Sequence, residues 1–421
     1  MIRPEEYDTY PDPLIKLTRE MEENILLDIC RRIRQEGYIT ATAEIQISAM
    51  IDLGYSAQEV QREIARITNL SQSVIEEMYK KAASESDRFE KEVYEKMGKD
   101  PKPYQENEFL KSQVDRVSRQ TNEEFKNLTS SLGFSIRQNG KTVFLPAARA
   151  YQHALDRASL EIQSGAFDVR TAIKRAVKEL ADSGLKTIDY ASGRKDSLEV
   201  AVRRATITGL NQISEKVNDW RMEEMESPLV EVSAHGGARD KGTGFVNHKS
   251  WQGKVYYWKE RDKWGRKDLA KKYPDFVRST GYGNVAGMEG ANCRHSKRVF
   301  IDGISKREYT DKQLKNIDPP DFMWKGKKYT TYEATQYQRA LEVKARRYER
   351  EIIAFEGLGL GTEDKDYQNT AIRLQLVKNE YKAFSQKSKL RAQPQRMQIY
   401  GWGRGQAARA NRAAKKANQS G

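Results

Sequence analysis

Cysteine is almost missing from these 421 residues: there are two, Cys30 and Cys293, beside only four histidines. Two thiols build no disulfide framework, which suits assembly in a reducing cytoplasm. Long apolar runs are missing as well. No stretch approaches the roughly 18 consecutive apolar residues of a membrane span. The opening Met1-Ile-Arg-Pro-Glu-Glu-Tyr7 has no basic segment ahead of an apolar core, so it does not read as a secretory signal. Hydrophobic residues make up 38% of the chain and mean hydropathy is −0.84, lean for one large globule and suited to two or three small cores joined by exposed helices. No Gly-rich loop follows a strand and opens a helix, which argues against a phosphate cradle. Cys-x2-Cys and His-x3-His are absent, which removes the standard zinc fingers.

Negative charge stops at Glu380. Beyond it stand ten cations: Lys382, Lys387, Lys389, Arg391, Arg396, Arg404, Arg409, Arg412, Lys415 and Lys416. The net charge of +14 therefore leaves only +4 for the first 380 residues. The chain is nearly balanced, with a basic tail. Tyr400-Gly-Trp-Gly-Arg404 adds aromatics to the arginines, the usual parts of a sequence-tolerant nucleic-acid contact. A solubility role is the plainer alternative. Lys387, Lys389, Arg391, Arg396, Arg404, Arg409, Arg412, Lys415 and Lys416 are the candidate contacts to DNA or an acidic partner, on a segment expected to be disordered on its own.

The rest of the chain alternates helical periodicity with turn signals. Leu14, Leu17, Met21, Ile25, Ile29 and Ile33 mark a helix ending at Gly37. A second helix is expected from Thr42 to Leu53, stopped by Gly54. Ser56 with Glu59 and Ser73 with Glu76 read as capping boxes opening two more, the last reaching Met97. Lys99-Asp-Pro-Lys-Pro103 breaks the pattern, and helix resumes over 107–131. Ser135 to Phe144 around Asn139-Gly140 reads as a hairpin with a type I′ turn. Helices follow at 147–164 and 169–183, then a short strand at 187–190 and a long helix over 196–226. Strands are expected at 230–233, 254–258 and 296–301. After Asp318-Pro-Pro320, stripes at Leu341, Ala345, Tyr348, Ile352, Phe355 and at Tyr367, Thr370, Leu374, Val377, Tyr381, Phe384 predict an antiparallel helical pair. The fold class is α+β, predominantly α. It combines an elongated helical body, a small Gly- and aromatic-rich domain containing strands, a C-terminal helical hairpin and the tail. The divisions are 1–131, 132–227, 228–304, a linker at 305–332, 333–385 and 386–421.

The chemistry-bearing residues crowd into 228–304. His235, His248, Cys293 and His295 are plausible Zn²⁺ ligands by type, but their spacing matches no standard site. The preferred reading is a buried polar lattice in which His235, Arg239, Trp251, Gln252, Gly253, Tyr282, Asn292, Cys293, Arg294 and His295 satisfy irregular backbone. Convergence of three of the four soft ligands within metal-bond reach would reverse that preference. A nuclease lacks a compact His-Asn-His spacing. A Cys293–His295 hydrolase lacks nucleophile–base geometry at i,i+2. Glu224 and Glu226 read as a solvated helix end. No catalytic residue is assigned, and an enzymatic role is not favoured.

Five blocks occur in order: His235-Gly-Gly-Ala-Arg239, Trp251-Gln-Gly-Lys-Val-Tyr256, Tyr273-Pro-Asp-Phe276, Thr280-Gly-Tyr-Gly283 and Gly290-Ala-Asn-Cys-Arg-His295. Together they resemble the signature of the phage minor capsid protein 2 family, relatives of the minor head proteins of Mu-like phages. The resemblance runs from about residue 10 to about residue 400. It implies a virion structural protein of a tailed phage, assembled in the host cytoplasm and placed near the portal vertex. Its implied partners are the portal protein and the major capsid protein, with residues 1–131 as the interacting region. It implies a role in head assembly and in DNA packaging or ejection, and no settled catalytic activity or cofactor. In Mu-type relatives the last block often ends in a second cysteine. His295 stands there in this chain, so an argument from a cysteine pair does not carry over. The charged stretch Trp258–Lys272 separates two of the blocks and is expected to form a surface loop or short helix. The alternative is a DNA-contacting or metal-dependent nuclease-like protein carried in the head.

Overall fold

The computed structural model describes residues 3–37, 44–86, 91–100, 102–138, 140–189, 193–290 and 293–420. The chain forms two compact units. One comprises Met1–Leu14, Ser71–Phe125 and Val202–Gln336; the other comprises Ile15–Leu70, Lys126–Ala201 and Tyr337–Gly421. No helix among the described residues is long and apolar enough to cross a membrane.

Helix α1 covers Pro4–Thr9 and α2 covers Asp12–Gly37, with Leu14, Met21, Ile25 and Ile29 buried along one stripe. The next segment departs from expectation. Glu44–Ser86 is one helix, α3, which runs through Gly54, Ser56 and Ser73. A lone glycine costs a helix about 1 kcal/mol, less than the unfavourable start of a new one. Buried Ile67, Ser71, Ile75, Tyr79 and Ala82 hold a single face through the supposed restart at Ser73. The expected start at Thr42 lies outside the described residues. Helix α4 spans Lys91–Met97 and ends where the helical pattern is expected to end; residues 87–90 between it and α3 lie outside the described residues. Asn107 caps α5 (Glu108–Ser130) by accepting from the Leu110 amide at 3.0 Å.

Strands β1 (Leu132–Gln138) and β2 (Lys141–Pro146) pair in antiparallel register, with Gln138 opposite Lys141. A two-residue turn is left between them. Its Asn139 lies outside the described residues, and Gly140 has φ +77°, the left-handed backbone such a turn demands. Helices α6 (Ala147–Gln163) and α7 (Val169–Ser183) follow, then β3 (Lys186–Asp189), β4 (Arg194–Ser197) and α8 (Leu198–Met225). The sheet order is β2-β1-β3-β4. Strand β4, Arg-Lys-Asp-Ser, has no apolar alternation to announce it; it is held by backbone pairing to β3 at the sheet edge.

In the other unit, β5 (Leu229–Val232) lies between β6 (Val255–Tyr257) and β7 (Lys297–Phe300), antiparallel to both. Side chains alternate across the sheet. Val230, Val232, Tyr256 and Val299 enter a core with Trp251, Trp258, Phe276, Met288 and Cys293. Leu229, Val255, Tyr257 and Phe300 enter a second core with Leu269 on the opposite face. Short helices α9 (His248–Trp251), α10 (Lys267–Lys272) and α11 (Phe276–Thr280) fill the connections. The stretch expected as plain linker carries α12 (Asp311–Lys315) and a hairpin, β8 (Phe322–Trp324) with β9 (Lys327–Tyr329).

Helices α13 (Thr331–Gly357) and α14 (Lys365–Ser388) form the expected antiparallel pair. Tyr337 meets Phe384 and Glu380, Glu342 meets Tyr381, Glu349 meets Lys378, and Glu356 meets Tyr367. The tail corrects its expectation of disorder. Arg404–Ser420 is a helix, α15, packed on α14 with Ala410, Ala413 and Ala414 buried. Ile399 and Trp402 are buried ahead of it. Alanine is the strongest helix former, and here it also supplies the apolar stripe. Hydrogen exchange on the free protein should show protected amides within 404–420; exchange there at the rate of an unfolded peptide would contradict this packing.

Candidate functional site

The central position of β5 assembles the site. Val232 is the last residue of β5 and pairs with Lys297 at the start of β7. The ladder runs one step further: the Ser233 amide donates to the Ser296 carbonyl and the Ser296 amide to Ser233 Oγ, both at 2.9 Å. His235 lies just past one strand end and His295 just before the other. On the opposite side of β5, the Val232 amide donates to the Lys254 carbonyl at 3.0 Å, and the Gly253 amide to the Ser233 carbonyl. Three blocks far apart in sequence thus meet at one end of the sheet.

Gln252 ties them together. Its Oε1 accepts from the His235 amide at 3.1 Å and from His295 Nε2 at 3.0 Å. Gly253 has φ +68°, and a Cβ there would sit 2.3 Å from Leu314 Cδ2, so the turn after Gln252 requires glycine. The His295 ring lies 4.6 Å from that of His235 and 4.7 Å from that of Trp251, while His248 lies 4.7 Å from Trp251. Cys293 Sγ is 3.4 Å from His295 Nδ1. His248 Nε2 and Arg239 Nη1 both donate to the Ala286 carbonyl, at 2.9 and 3.2 Å. Trp251 donates to the Phe245 carbonyl and Tyr256 to that of Trp251. His235 Nδ1 donates to the Gly236 carbonyl at 2.9 Å. One ligand atom each from His248, Cys293 and His295 falls within 4.8 Å of the other two, and all three residues are buried. Three of the four candidate ligands thus converge, with His235 outside that group.

Burial sets the protonation states. It holds His295 well below the usual histidine range, with the His235, His248 and Arg294 charges adding to the effect. It also depresses His248 and pushes the Cys293 thiol up to about 11. Both imidazoles and the thiol are therefore neutral at pH 7.

Two of the expected members lie elsewhere or beyond description. Tyr282 packs against Trp258 and Phe276, with centroids 5.1 and 5.2 Å away, and not against the histidines. Asn292 lies outside the described residues. Arg294 is half-buried beside the cluster.

A second polar centre stands outside the expected set. Lys297 is fully buried, with Nζ 2.7 Å from Glu289 and over the Tyr282 and Trp258 rings at 4.6 and 5.3 Å. The sequence carries a signal for it: period two puts Lys297 on the face of Val299, so the strand takes a lysine into an aromatic core.

This is a chain in which a cluster of buried polar side chains holds short loops in place. It matches the phage minor capsid protein 2 family over residues 2–391, nearly its full length, and belongs to that family. It is thus a minor capsid structural protein of a phage. It is also similar to a protein described as "Structural protein" of Lactococcus phage LL-H, 26% identical over 230 residues. That match covers 54% of this chain and 56% of the relative, so the chain spans about half the length of the protein it resembles. No solved structure matches.

Replacing Lys297 by Met leaves Glu289 buried without its partner. Urea unfolding should show a loss of about 3–5 kcal/mol, because a stranded buried charge retains its full desolvation cost. Adding Glu289→Gln should restore much of it. A loss below about 1 kcal/mol in the single variant would show that the pair does not matter to this core.

Proposed function

We propose that the protein sits at the portal vertex, contacts the portal and major capsid proteins, and lays its last helix against packaged DNA. The observation that carries the DNA contact is the division of α15 into two faces. Ala410, Ala413 and Ala414 are buried, while Arg404, Arg412 and Lys415 are exposed. Lys387, Lys389 and Arg391 add exposed charge at the end of α14. Two of the tail cations have other work: Arg409 forms a bidentate pair with Glu356 at 2.7 and 2.8 Å, and Lys416 pairs with Glu363. Arg396 is half-buried, with its carbonyl accepting from Arg346. The DNA-facing set is therefore smaller than the run of ten suggests.

Family membership supports the capsid location. The buried, closed packing of His248, Cys293 and His295 favours scaffold over nuclease, since hydrolysis needs convergent groups in an open cleft.

Gel-shift measurements across a salt series test the DNA contact. Arg404→Gln, Arg412→Gln and Lys415→Gln together should weaken binding and flatten the log–log salt slope by about 0.9 for each phosphate that is no longer neutralised. Neutralising exposed residues leaves the α14–α15 packing intact, which truncation would not. An unchanged slope removes α15 from DNA binding. Cross-linking of intact virions tests the placement: peptides joined to the portal protein are expected, and cross-links confined to proteins remote from the vertex would refute it.

A further inference from the structure

We propose that His248, Cys293 and His295 form a structural zinc site, with the Cys293 thiolate and one imidazole nitrogen from each histidine as ligands. The site does not depend on the portal or DNA reading. Its first support is metric. A tetrahedral zinc with Zn–S of about 2.3 Å and Zn–N of about 2.0 Å puts sulfur and nitrogen about 3.5 Å apart. Cys293 Sγ and His295 Nδ1 are already 3.4 Å apart, and the three ligand atoms lie within 4.8 Å of one another.

The second support is how the rings are held. An amide or carbonyl oxygen can only accept, so each nitrogen facing one carries the proton. His295 Nε2 donates to Gln252 Oε1, and His248 Nε2 donates to the Ala286 carbonyl. Each ring is thereby fixed in the tautomer whose Nδ1 bears the lone pair. Zinc-binding histidines are oriented in this way, by an oxygen acceptor on the nitrogen away from the metal. His295 has its acceptor on Nε2 while Nδ1 faces Cys293 Sγ, and His248 has an acceptor on Nε2.

The donor set selects the ion. One thiolate with imidazoles suits zinc and excludes calcium and magnesium, which take oxygen ligands. On binding, the Cys293 S–H bond gives its proton to solvent and sulfur donates the freed pair to the metal; no oxidation state changes. His235, with its ring against His295, is the neighbouring side chain of ligand type for a fourth position. The ligands come from α9 and from the segment entering β7, so the ion would pin these loops to each other without any disulfide.

The test uses untagged full-length protein. After reconstitution and dialysis, wild type should retain stoichiometric zinc by elemental analysis. Cobalt substitution should give a thiolate-to-cobalt charge-transfer band. Cys293→Ser should lose both, and Cys30→Ser should keep both. Gln252→Ala, which frees the His295 ring, should bind zinc about 10- to 100-fold more weakly. A folded wild type without stoichiometric metal, a cobalt spectrum lacking the thiolate band, or Cys293→Ser binding as tightly as wild type would overturn the proposal. Cys293 and His295 would then share an S–H···N hydrogen bond within a metal-free lattice. The wild-type readouts stand whether or not any variant folds.

Discussion

Strand β5 is buried on both faces, and the unit containing the site is organised by that fact. All four of its residues are inaccessible, so both edges must find backbone partners and both faces must find side chains. Leu229, Val230 and Val232 each contribute about 1.5–3 kcal/mol of burial, divided between two cores. Glu231 is the exception on the strand. Its carboxylate is fully buried and is held by the Arg298 guanidinium at 2.5 and 2.8 Å and by the Glu308 amide at 2.8 Å. Pairing on one side brings in β7 and the segment with Cys293 and His295. Pairing on the other brings in β6 and the turn with Trp251 and Gln252. The cluster follows from strand order.

Loops of this kind have few regular hydrogen bonds, and the side chains supply what the backbone lacks. Gln252 Oε1 serves one amide and one imidazole, and the Ala286 carbonyl serves His248 and Arg239 together. Each acceptor fixes two groups from separate segments. That explains a signature made of short islands: the islands are where one side chain serves several segments, and the stretches between need only span a distance. The Trp258–Lys272 stretch is such a span, closed by α10 and by Tyr257 donating to Asp262 at 2.7 Å.

The structure is legible in the sequence to an uneven degree. Helices α5 and α7 fall within a residue or two of their expected bounds, and α14 buries the stripe expected of it, because burial and period coincide in them. The β1–β2 hairpin and the three strands of the β5 sheet are visible from turn chemistry and alternation. Departures arise where a local signal competes with packing. Gly54 and the Ser56 and Ser73 pairs look like boundaries, yet α3 passes through all of them. Strand β4 and the β8–β9 hairpin are too polar or too short to carry a period. At the site, residue types mark the His/Cys cluster, and the distances come only from the fold. Lys297 and Glu289 escape notice because a lysine and a glutamate default to solvent, and only the alternation that sets Lys297 on the face of Val299 points inward.

The tail is ordered, against expectation, because its charge has a complement elsewhere in the chain. Ten cations with no anion look like an arm for a polyanion, but the anions stand on the hairpin before it. Glu342 and Glu349 of α13 are buried in the seam with α14, held by Tyr381 at 3.2 Å and Lys378 at 2.6 Å. Glu349 also accepts from the Ile399 amide at 3.2 Å, and Glu356 takes Arg409 while accepting from Tyr367 at 2.9 Å. Burial pushes the Glu342 and Glu349 carboxyls up, and the cations around them pull the other way. Sliding the helices by one heptad would separate these carboxylates from their donors at several kcal/mol each, so the polar seam sets a register that the apolar stripe alone would leave loose. The same carboxylates draw the chain after α14 back along the hairpin, where alanines complete the packing. Helix α13 thus carries part of the tail's counter-charge, and what remains on the outer face of α15 is the charge available to a partner.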